Sequence, residues 1–144
     1  MIDFPEDYFK TEIRDGFEVS SMMKRAWAGQ MEVLQTIREI CERHNITWFA
    51  DYGTLLGAVR HKGFIPWDDD MDIGMTRDNL NEFIKYAKDE LPDEYKLLCM
   101  DLEPEYDSII VRVVNSTAVS MNKERLDKFH GCPYVLGIDI FPMD

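Results

Sequence analysis

Apolar residues recur every three or four positions between residues 20 and 44, which is the period of one face of an α-helix. Ser20 or Ser21 offers a side-chain oxygen that can cap the N-terminus of this helix. The pattern therefore predicts a long helix that begins at one of these serines and ends near His44 and Asn45. The residues of its apolar face are Met23, Trp27, Met31, Leu34, Ile37 and Cys41.

A strand, a turn and a short helix are predicted in succession after this helix. Residues 46–52 are rich in aromatic and β-branched side chains, as in a strand. Gly53 and Thr54 then make a small-residue turn before a helical pattern over residues 55–60. Such a turn leaves N–H groups at a helix N-terminus free to bind an anion, and Gly53 has no Cβ to keep a phosphate away.

A second amphipathic helix and several strands are predicted in the rest of the chain. Thr76 caps the helix over residues 77–91, and Pro92 ends it. Turn residues separate the short β-prone runs that follow, at 95–100, 108–115, 117–121 and 134–141. Helices packed on a mixed sheet give an α+β (α/β) fold.

The first 21 residues show no sustained periodicity. We expect them to form an N-terminal arm that packs on the body through one or more of Phe4, Tyr8, Phe9 and Phe17. The folded domain is predicted to span residues 22–144.

The most unusual stretch of the chain is acidic, with Asp68, Asp69, Asp70 and Asp72 inside five positions. Like charges this close repel one another unless a cation neutralises them. Apolar residues alternate with the acids as in a half-buried strand, so Asp70 and Asp72 are predicted on one face, about 6.6 Å apart at Cα. Both carboxylates can then reach one hard cation, and Asp69 is expected on the opposite face.

Three other interpretations of the acidic stretch fit less well. The alternate acids imitate the first ligands of an EF-hand, but the sixth position would be Ile73 rather than glycine and the twelfth Asn79 rather than glutamate. A nucleophilic aspartate at Asp70 or Asp72, as in a phosphatase, has no evident general acid partner. A solvated acidic turn is disfavoured by the apolar residues within the stretch.

Further charged residues fit a site that binds phosphate. Arg60 and Lys62 precede the acids closely enough to hold a phosphate group from the other side, although such cations are also common on surfaces. Asp139 lies in an apolar run, where an unpaired carboxylate is costly to bury. It is a candidate third acid for the same cation, and the alternative is an ion pair with Arg112 or another cation.

Composition restricts the classes of function. The chain has 144 residues, of which 45% are hydrophobic and 31% charged, as in one globular domain, and no apolar run approaches the ~18 residues that span a bilayer. A net charge of -12 opposes binding to a nucleic acid polymer, while a single nucleotide remains compatible if Mg²⁺ offsets its phosphates.

The cysteines and the N-terminal residues indicate in which cellular compartment the protein is expected. Cys41, Cys99 and Cys132 are widely spaced and lack a zinc-site pattern, so we expect reduced structural thiols. The acidic N-terminus lacks the basic start of a secretory signal. We therefore expect a cytoplasmic protein without a transmembrane segment, associated with a membrane at most peripherally.

Two motifs resemble one known family. Residues 52–72, YGTLLGAVRHKGFIPWDDDMD, closely resemble the LicD and fukutin family of phosphotransferases, and residues 138–144, IDIFPMD, resemble a later motif of that family. The similarity covers about residues 22–144. It implies the mixed sheet and flanking helices of the nucleotidyltransferase superfamily, to which this family is related.

The resemblance also implies roles for single residues. Gly53 and Thr54 match the family's small-residue turn, which we take as part of the donor-binding site. Asp70 and Asp72 match its metal-binding pair, and Asp139 matches the third acid. All three aspartates are candidate catalytic residues.

The remaining candidates support this set. For Asp68 the resemblance implies the role of an additional metal ligand, or of a residue that contacts and positions the ligands. The metal would be Mg²⁺ or Mn²⁺, held by Asp68, Asp70, Asp72 and Asp139. Asp139 would also draw the proton from the acceptor hydroxyl. Arg60 and Lys62 are candidates for stabilising the leaving nucleotide.

The implied reaction moves a phospho-alcohol, such as phosphocholine, from a cytidine diphosphate-linked donor such as CDP-choline to a hydroxyl group. The acceptor would be a cell-surface glycan or teichoic-acid precursor. One alternative is a metal-dependent glycosyltransferase that uses a nucleotide sugar, and another is a catalytically incomplete binding domain. Family members usually continue beyond the second motif, so we expect the chain to be the N-terminal portion of a longer enzyme, with its domain truncated at the C-terminal end.

Overall fold

The computed structural model describes residues 1–144 and has an α+β architecture, as predicted. It contains a mixed sheet of five strands, four helices and a separate two-stranded hairpin. The strands are β1 (Glu12–Arg14), β2 (Phe17–Val19), β3 (Phe49–Ala50), β4 (Asp72–Thr76), β5 (Lys96–Leu98), β6 (Val111–Val114) and β7 (Gly137–Met143). The helices are α1 (Ser21–Arg43), α2 (Tyr52–Arg60), α3 (Arg77–Glu90) and α4 (Lys123–Lys128).

The sheet brings distant parts of the chain together. Its strand order is β3-β4-β7-β6-β5, in which β4 and β7 are parallel and every other neighbouring pair is antiparallel. Parallel neighbours need a long crossover connection, and here that connection contains α3, β5, β6 and α4. As a result, the acidic strand β4 lies beside the C-terminal strand β7.

The core lies between the sheet and the helices α1 and α3, which also contact each other. Burial of these apolar side chains is the main favourable term in folding. The buried residues of this core include Val33, Ile37 and Ile40 of α1, Leu80, Phe83 and Ala87 of α3, and Ile73, Met75, Ile138 and Ile140 of the central strands. The three cysteines are buried and unpaired, in agreement with the prediction of structural thiols.

The two long helices are confirmed with small changes at their ends. The Ser20 hydroxyl caps α1 by accepting a hydrogen bond from the Met23 N–H at 3.1 Å. Thr76 occupies the N-cap position of α3, although its side chain makes no capping hydrogen bond, and the helix ends one residue early at Glu90. No helix combines the length and the apolar character needed to cross a bilayer.

The predicted strand over residues 46–52 is mostly wrong. Only Phe49 and Ala50 pair with β4, because Asp51 already caps α2 by accepting a hydrogen bond from the Tyr52 N–H at 2.9 Å. The helix therefore begins three residues earlier than predicted. Gly53 lies in its first turn instead of in a turn that precedes it.

The second half of the chain differs from the prediction in two places. No strand forms at residues 117–121, because β6 is already paired on both edges by β5 and β7. Val119 and Met121 remain 63% and 74% exposed there. The following residues form the unpredicted α4, which Asn122 caps. The last strand begins at Gly137 and not at residue 134.

The N-terminal arm packs on the body as predicted, but it also contains the β1–β2 hairpin, which the sequence pattern did not reveal. The rings of Phe4 and Phe9 lie 4.9 and 5.8 Å from the ring of His130. The ring of Phe17 lies 6.2 Å from that of Trp67. The contact of Phe17 holds the hairpin next to the loop of residues 66–71 that precedes β4, which we call the acidic loop.

Candidate active site

Three charged residues form a row across the middle of the sheet. Asp139 on β7 lies opposite Asp72 on β4 and, on its other side, opposite Arg112 on β6. Residues in register on adjacent strands project from the same face. Arg112 donates two hydrogen bonds to the Asp139 carboxylate, including one from Nη2 to Oδ2 at 2.7 Å. Asp139 therefore lies beside a second acid, Asp72. It also forms the ion pair with Arg112 that the sequence analysis considered as the alternative to metal binding.

The other acids lie in the loop that precedes β4. The carboxylates of Asp68, Asp69 and Asp70 have oxygen atoms within 4.8 Å of one another. The strand starts only at Asp72, so the prediction that Asp70 and Asp72 share one strand face is wrong. The expectation that Asp69 points away from this cluster is also wrong, because the loop does not alternate as a strand does.

Side chains of α1 determine the path of this loop. The indole Nε1 of Trp27 donates a hydrogen bond to the Asp68 carbonyl at 2.8 Å, and Nε2 of Gln30 donates one to the Asp69 carbonyl. Within the loop, the Asp70 N–H donates to Oδ1 of Asp68 at 3.3 Å. The buried helix thus fixes the backbone from which the three carboxylates project.

Burial and mutual repulsion shift the pKa values of two of these acids. Burial, followed by the charges of Asp139 and Asp70, raises the pKa of Asp72 to about 6. Burial, then the charges of Asp69 and Asp68, also raises the pKa of Asp70, and Arg112 opposes this shift only in part. The acids of the loop and of the sheet therefore share one electrostatic environment. A cluster of hard carboxylate oxygens with this excess of negative charge fits a divalent cation such as Mg²⁺ or Mn²⁺.

The first turn of α2 is bonded to the acidic strand. Thr54 Oγ1 accepts a hydrogen bond from the Asp72 N–H at 2.7 Å. A Cβ at Gly53 would collide with Oδ2 of Asp68, so this glycine makes room for a carboxylate of the cluster. Tyr52, which precedes it, has a φ of 43°, a left-handed conformation that is unfavourable for a residue with a side chain and typical of functional sites.

Residues of the acidic loop line two cavities. The first, which we call the β7-side cavity, has a volume of about 290 Å³ and is lined by Gln30, Asp69, Arg112 and Asp139 among others. The second, the α2-side cavity, has a volume of about 420 Å³. Asp70 and Met71 line both cavities. Asp70 thus stands at the boundary between the two cavities.

The α2-side cavity contains some of the predicted donor-binding residues and some unpredicted ones. Gly53, Thr54 and Lys62 line it, while Arg60 is exposed at the end of α2 and lines neither cavity. Arg14 of the hairpin also lines this cavity, with its guanidinium 5.8 Å from the ring centre of Trp27. Arg14 could not be predicted from the sequence pattern, because only the fold brings the hairpin to the acids.

Comparison with known proteins identifies a family that matches this chain. The family model described as LicD/FKTN/FKRP, nucleotidyltransferase domain, matches residues 45–131, which is more than half of the chain. The matched range includes α2, the acidic loop, β4 and Arg112.

Two relatives with curated records illustrate the similarity. The chain is 42% identical over 67 residues to the lipopolysaccharide cholinephosphotransferase LicD of Haemophilus influenzae, a match that covers 46% of this chain and 25% of that protein. It is 44% identical over 48 residues to an uncharacterized protein of Rickettsia prowazekii, covering 33% of this chain and 18% of that protein. The match thus spans a quarter or less of either relative's length.

Proposed function

Because the chain belongs to the LicD/FKTN/FKRP family of nucleotidyltransferase domains, we propose that it transfers a phospho-alcohol from a cytidine diphosphate-linked donor to a hydroxyl group. Phosphocholine is the proposed group, with CDP-choline as donor and a lipopolysaccharide, other glycan or teichoic-acid precursor as acceptor. The similarity to a lipopolysaccharide cholinephosphotransferase supports this choice. The observation that carries the proposal is the register pairing of Asp72 with Asp139 beside the acidic loop.

A divalent cation is part of this proposal. Asp70 and Asp72 would hold it together with Asp139 and Asp68, which supply only hard oxygen ligands. When bound, Mg²⁺ or Mn²⁺ neutralises charge on the donor diphosphate and lowers the barrier to phosphoryl transfer. The raised pKa values of Asp70 and Asp72 support the assignment, since burial raises both and the charges of the neighbouring acids raise them further.

Asp139 is the proposed general base. A carboxylate oxygen of Asp139 accepts the proton of the acceptor hydroxyl as the new P–O bond forms. The bond between the transferred phosphorus and the CMP oxygen breaks in the same step, and CMP leaves with the electron pair. Arg112 fixes the orientation of the Asp139 carboxylate through two hydrogen bonds.

The α2-side cavity is the proposed site of the donor diphosphate. Lys62 and Arg14 contribute positive charge to it, and the N-terminus of α2 contributes the partial positive charge of the helix dipole. Arg60 remains a weaker candidate, because it lines neither cavity beside the acids.

Ligand protection and product release test this function. CDP-choline with Mg²⁺ should raise the melting temperature of the protein, and an added hydroxyl acceptor should lead to release of CMP. Asp72→Asn should lose both effects, while Asp89→Asn on the exposed face of α3 should keep them.

The alternatives predict different results in the same assays. Protection by a nucleotide sugar, without protection by CDP-choline, would favour a glycosyltransferase. Donor or metal binding without turnover, even when the longest natural form of the chain is assayed, would identify a binding domain.

A further inference from the structure

The helix α2 carries its apolar side chains on the outside of the molecule. Residues three and four positions apart share one face of a helix, and each of the four apolar residues on this face is between 41% and 64% exposed. They are Tyr52, Leu55, Leu56 and Val59. The face that packs on the body instead presents the buried Gly57 and the Thr54 hydroxyl that is bonded to the Asp72 N–H. A surface helix normally buries its apolar face, so the orientation of α2 needs an explanation.

Aromatic side chains continue this surface beyond both ends of the helix. The ring of Tyr52 lies 4.5 Å from that of Phe141 on β7. After the helix, the ring of His61 lies 5.8 Å from that of Trp67, which is 57% exposed and contacts Phe17 of the hairpin. Single exposed apolar residues are common, but a continuous set of them marks an interaction site. We call this set the α2 surface, and its members are Tyr52, Leu55, Leu56, Val59 and Trp67.

The stretch that forms the α2 surface contains no acid. Residues 52–67 lack aspartate and glutamate, although the chain has 28 of them among 144 residues. The same stretch contains Arg60 and Lys62, which are exposed at the C-terminal end of α2. The acids on either side of it are partly buried, since Asp51 caps the helix and a carboxylate oxygen of Asp68 lies beside Gly53. The α2 surface is therefore a local excess of positive charge on an acidic protein.

We propose that the α2 surface docks the protein on an anionic lipid bilayer. Apolar side chains of a surface helix enter the boundary between head groups and acyl chains, and Arg60 and Lys62 at its edge bind anionic head groups. Tyr52 and Trp67 suit this depth, because each joins an apolar ring to a polar atom. Docking also holds the α2-side cavity next to the bilayer, since Gly53 in the first turn of α2 lines that cavity. This inference goes beyond the transfer reaction proposed above and does not depend on it.

A second copy of the chain is the competing occupant of the α2 surface. An apolar helix face can pair with itself about a two-fold axis. However, two copies with a net charge of -12 each repel one another, and residues 52–67 of the second copy provide no acid for Arg60 or Lys62. Charge complementarity therefore favours the anionic bilayer.

Vesicle flotation with the full chain tests this docking. The vesicles consist of phosphatidylcholine mixed with phosphatidylglycerol, or of phosphatidylcholine alone. A chelator is present throughout, so that divalent cations cannot link the acids of the protein to lipid phosphates. We expect the wild type to float with the anionic vesicles, and we expect this binding to weaken at high salt and without phosphatidylglycerol.

Two variants separate the apolar and the charged contributions. Leu55→Ala with Val59→Ala should weaken binding to anionic vesicles roughly tenfold, because it removes apolar area while alanine keeps the helix. Its control is Val119→Ala with Met121→Ala, which removes exposed apolar groups outside α2 and should bind as the wild type does.

Arg60→Gln should weaken binding to anionic vesicles about fivefold, which is the usual contribution of one cation near a charged membrane. Binding to phosphatidylcholine alone should not change. Lys88→Gln on α3 alters the net charge of the protein equally and is exposed, so it should leave both unchanged.

Three results would overturn the docking. They are no flotation of the wild type with anionic vesicles, equal flotation of the wild type and the α2 variants, or a lipid-free dimer that Leu55→Ala with Val59→Ala converts to a monomer in sedimentation velocity. Flotation that depends on the α2 surface, in a protein that transfers no phospho-alcohol, would refute the proposed function and leave the docking intact.

Discussion

Asp72 and Asp139 lie directly opposite each other on the adjacent parallel strands β4 and β7, and the Asp139 N–H donates to the Met71 carbonyl at 3.2 Å. Two acids from distant parts of the chain are therefore fixed by main-chain hydrogen bonds rather than by flexible side chains. Arg112 balances only one of the charges, since its hydrogen bonds go to Asp139. The excess negative charge is therefore a structural property of the sheet.

The hydroxyl of Thr54 should stabilise the start of the acidic strand. Thr54→Val leaves the Asp72 N–H without its acceptor and should lower the free energy of unfolding by about 1 kcal/mol. Thr54→Ser keeps the oxygen and should remain close to the wild type. Urea denaturation compares the three proteins, and equal stability of the valine and serine variants would exclude this role of the hydroxyl.

The absence of a Cβ at Gly53 should matter for metal binding more than for folding. Gly53→Ala pushes on the Asp68 carboxylate, which can rotate away, and alanine is the better helix former. We expect unchanged or higher thermal stability together with weaker Mn²⁺ binding. Gly63→Ala is the control, because a Cβ there meets no atom within 4 Å. Equal Mn²⁺ affinities of the two variants would contradict the role assigned to Gly53.

The raised pKa of Asp72 predicts how stability depends on pH when metal is absent. The carboxyl has a pKa of about 6 in the folded protein against its ordinary value of 3.8, so its favourable contribution is complete below the lower value and is lost as the pH rises through the higher one. Asp72→Asn removes this loss. The melting temperature of the variant relative to the wild type should therefore rise between about pH 4 and about pH 7 in the presence of a chelator.

Differential scanning calorimetry at several pH values measures this difference directly. A difference between variant and wild type that stays constant across the range would mean that Asp72 titrates normally in the folded protein.

Arg112 should stabilise the protein mainly when no metal is bound. Arg112→Leu leaves Asp139 next to Asp72 without a compensating charge and should cost about 1 kcal/mol at neutral pH. Saturating Mg²⁺ should reduce this loss. Arg77→Leu serves as the control, because its ion pair with Asp144, at an N–O distance of 2.9 Å, is exposed and involves none of the proposed metal ligands. A loss in Arg112→Leu that Mg²⁺ does not change would separate this ion pair from the proposed metal site.

The long elements could be predicted from the sequence because they depend on local patterns. The helix α1 has an apolar period sustained over many residues and a serine cap, and α3 has a proline after its end. The two-residue strand β3 could not be predicted, because Asp51 caps α2 where the β-prone pattern continues. Local propensity is a weak guide when a cap and tertiary pairing compete with it.

The site was predictable in part for the same reason. Asp70, Asp72 and Asp139 stand out in the sequence, but the register that places two of them side by side is a long-range property of the sheet. The orientation of Asp69 depends on hydrogen bonds from α1 to the loop, including the one from Gln30. No rule of sequence spacing encodes such contacts. The position of Asp69 and its contact with Gln30 are therefore visible only in the fold.

The acids of the loop and of the sheet are proposed to form one site for a divalent cation, and isothermal titration calorimetry with Mg²⁺ and Mn²⁺ tests this site most directly. The wild type should bind at least one of the two ions, and the double variant Asp70→Asn with Asp72→Asn should lose that binding. Asp89→Asn, which removes an exposed acid of α3, should bind as the wild type does. Unchanged binding by the double variant would contradict the assignment of the site.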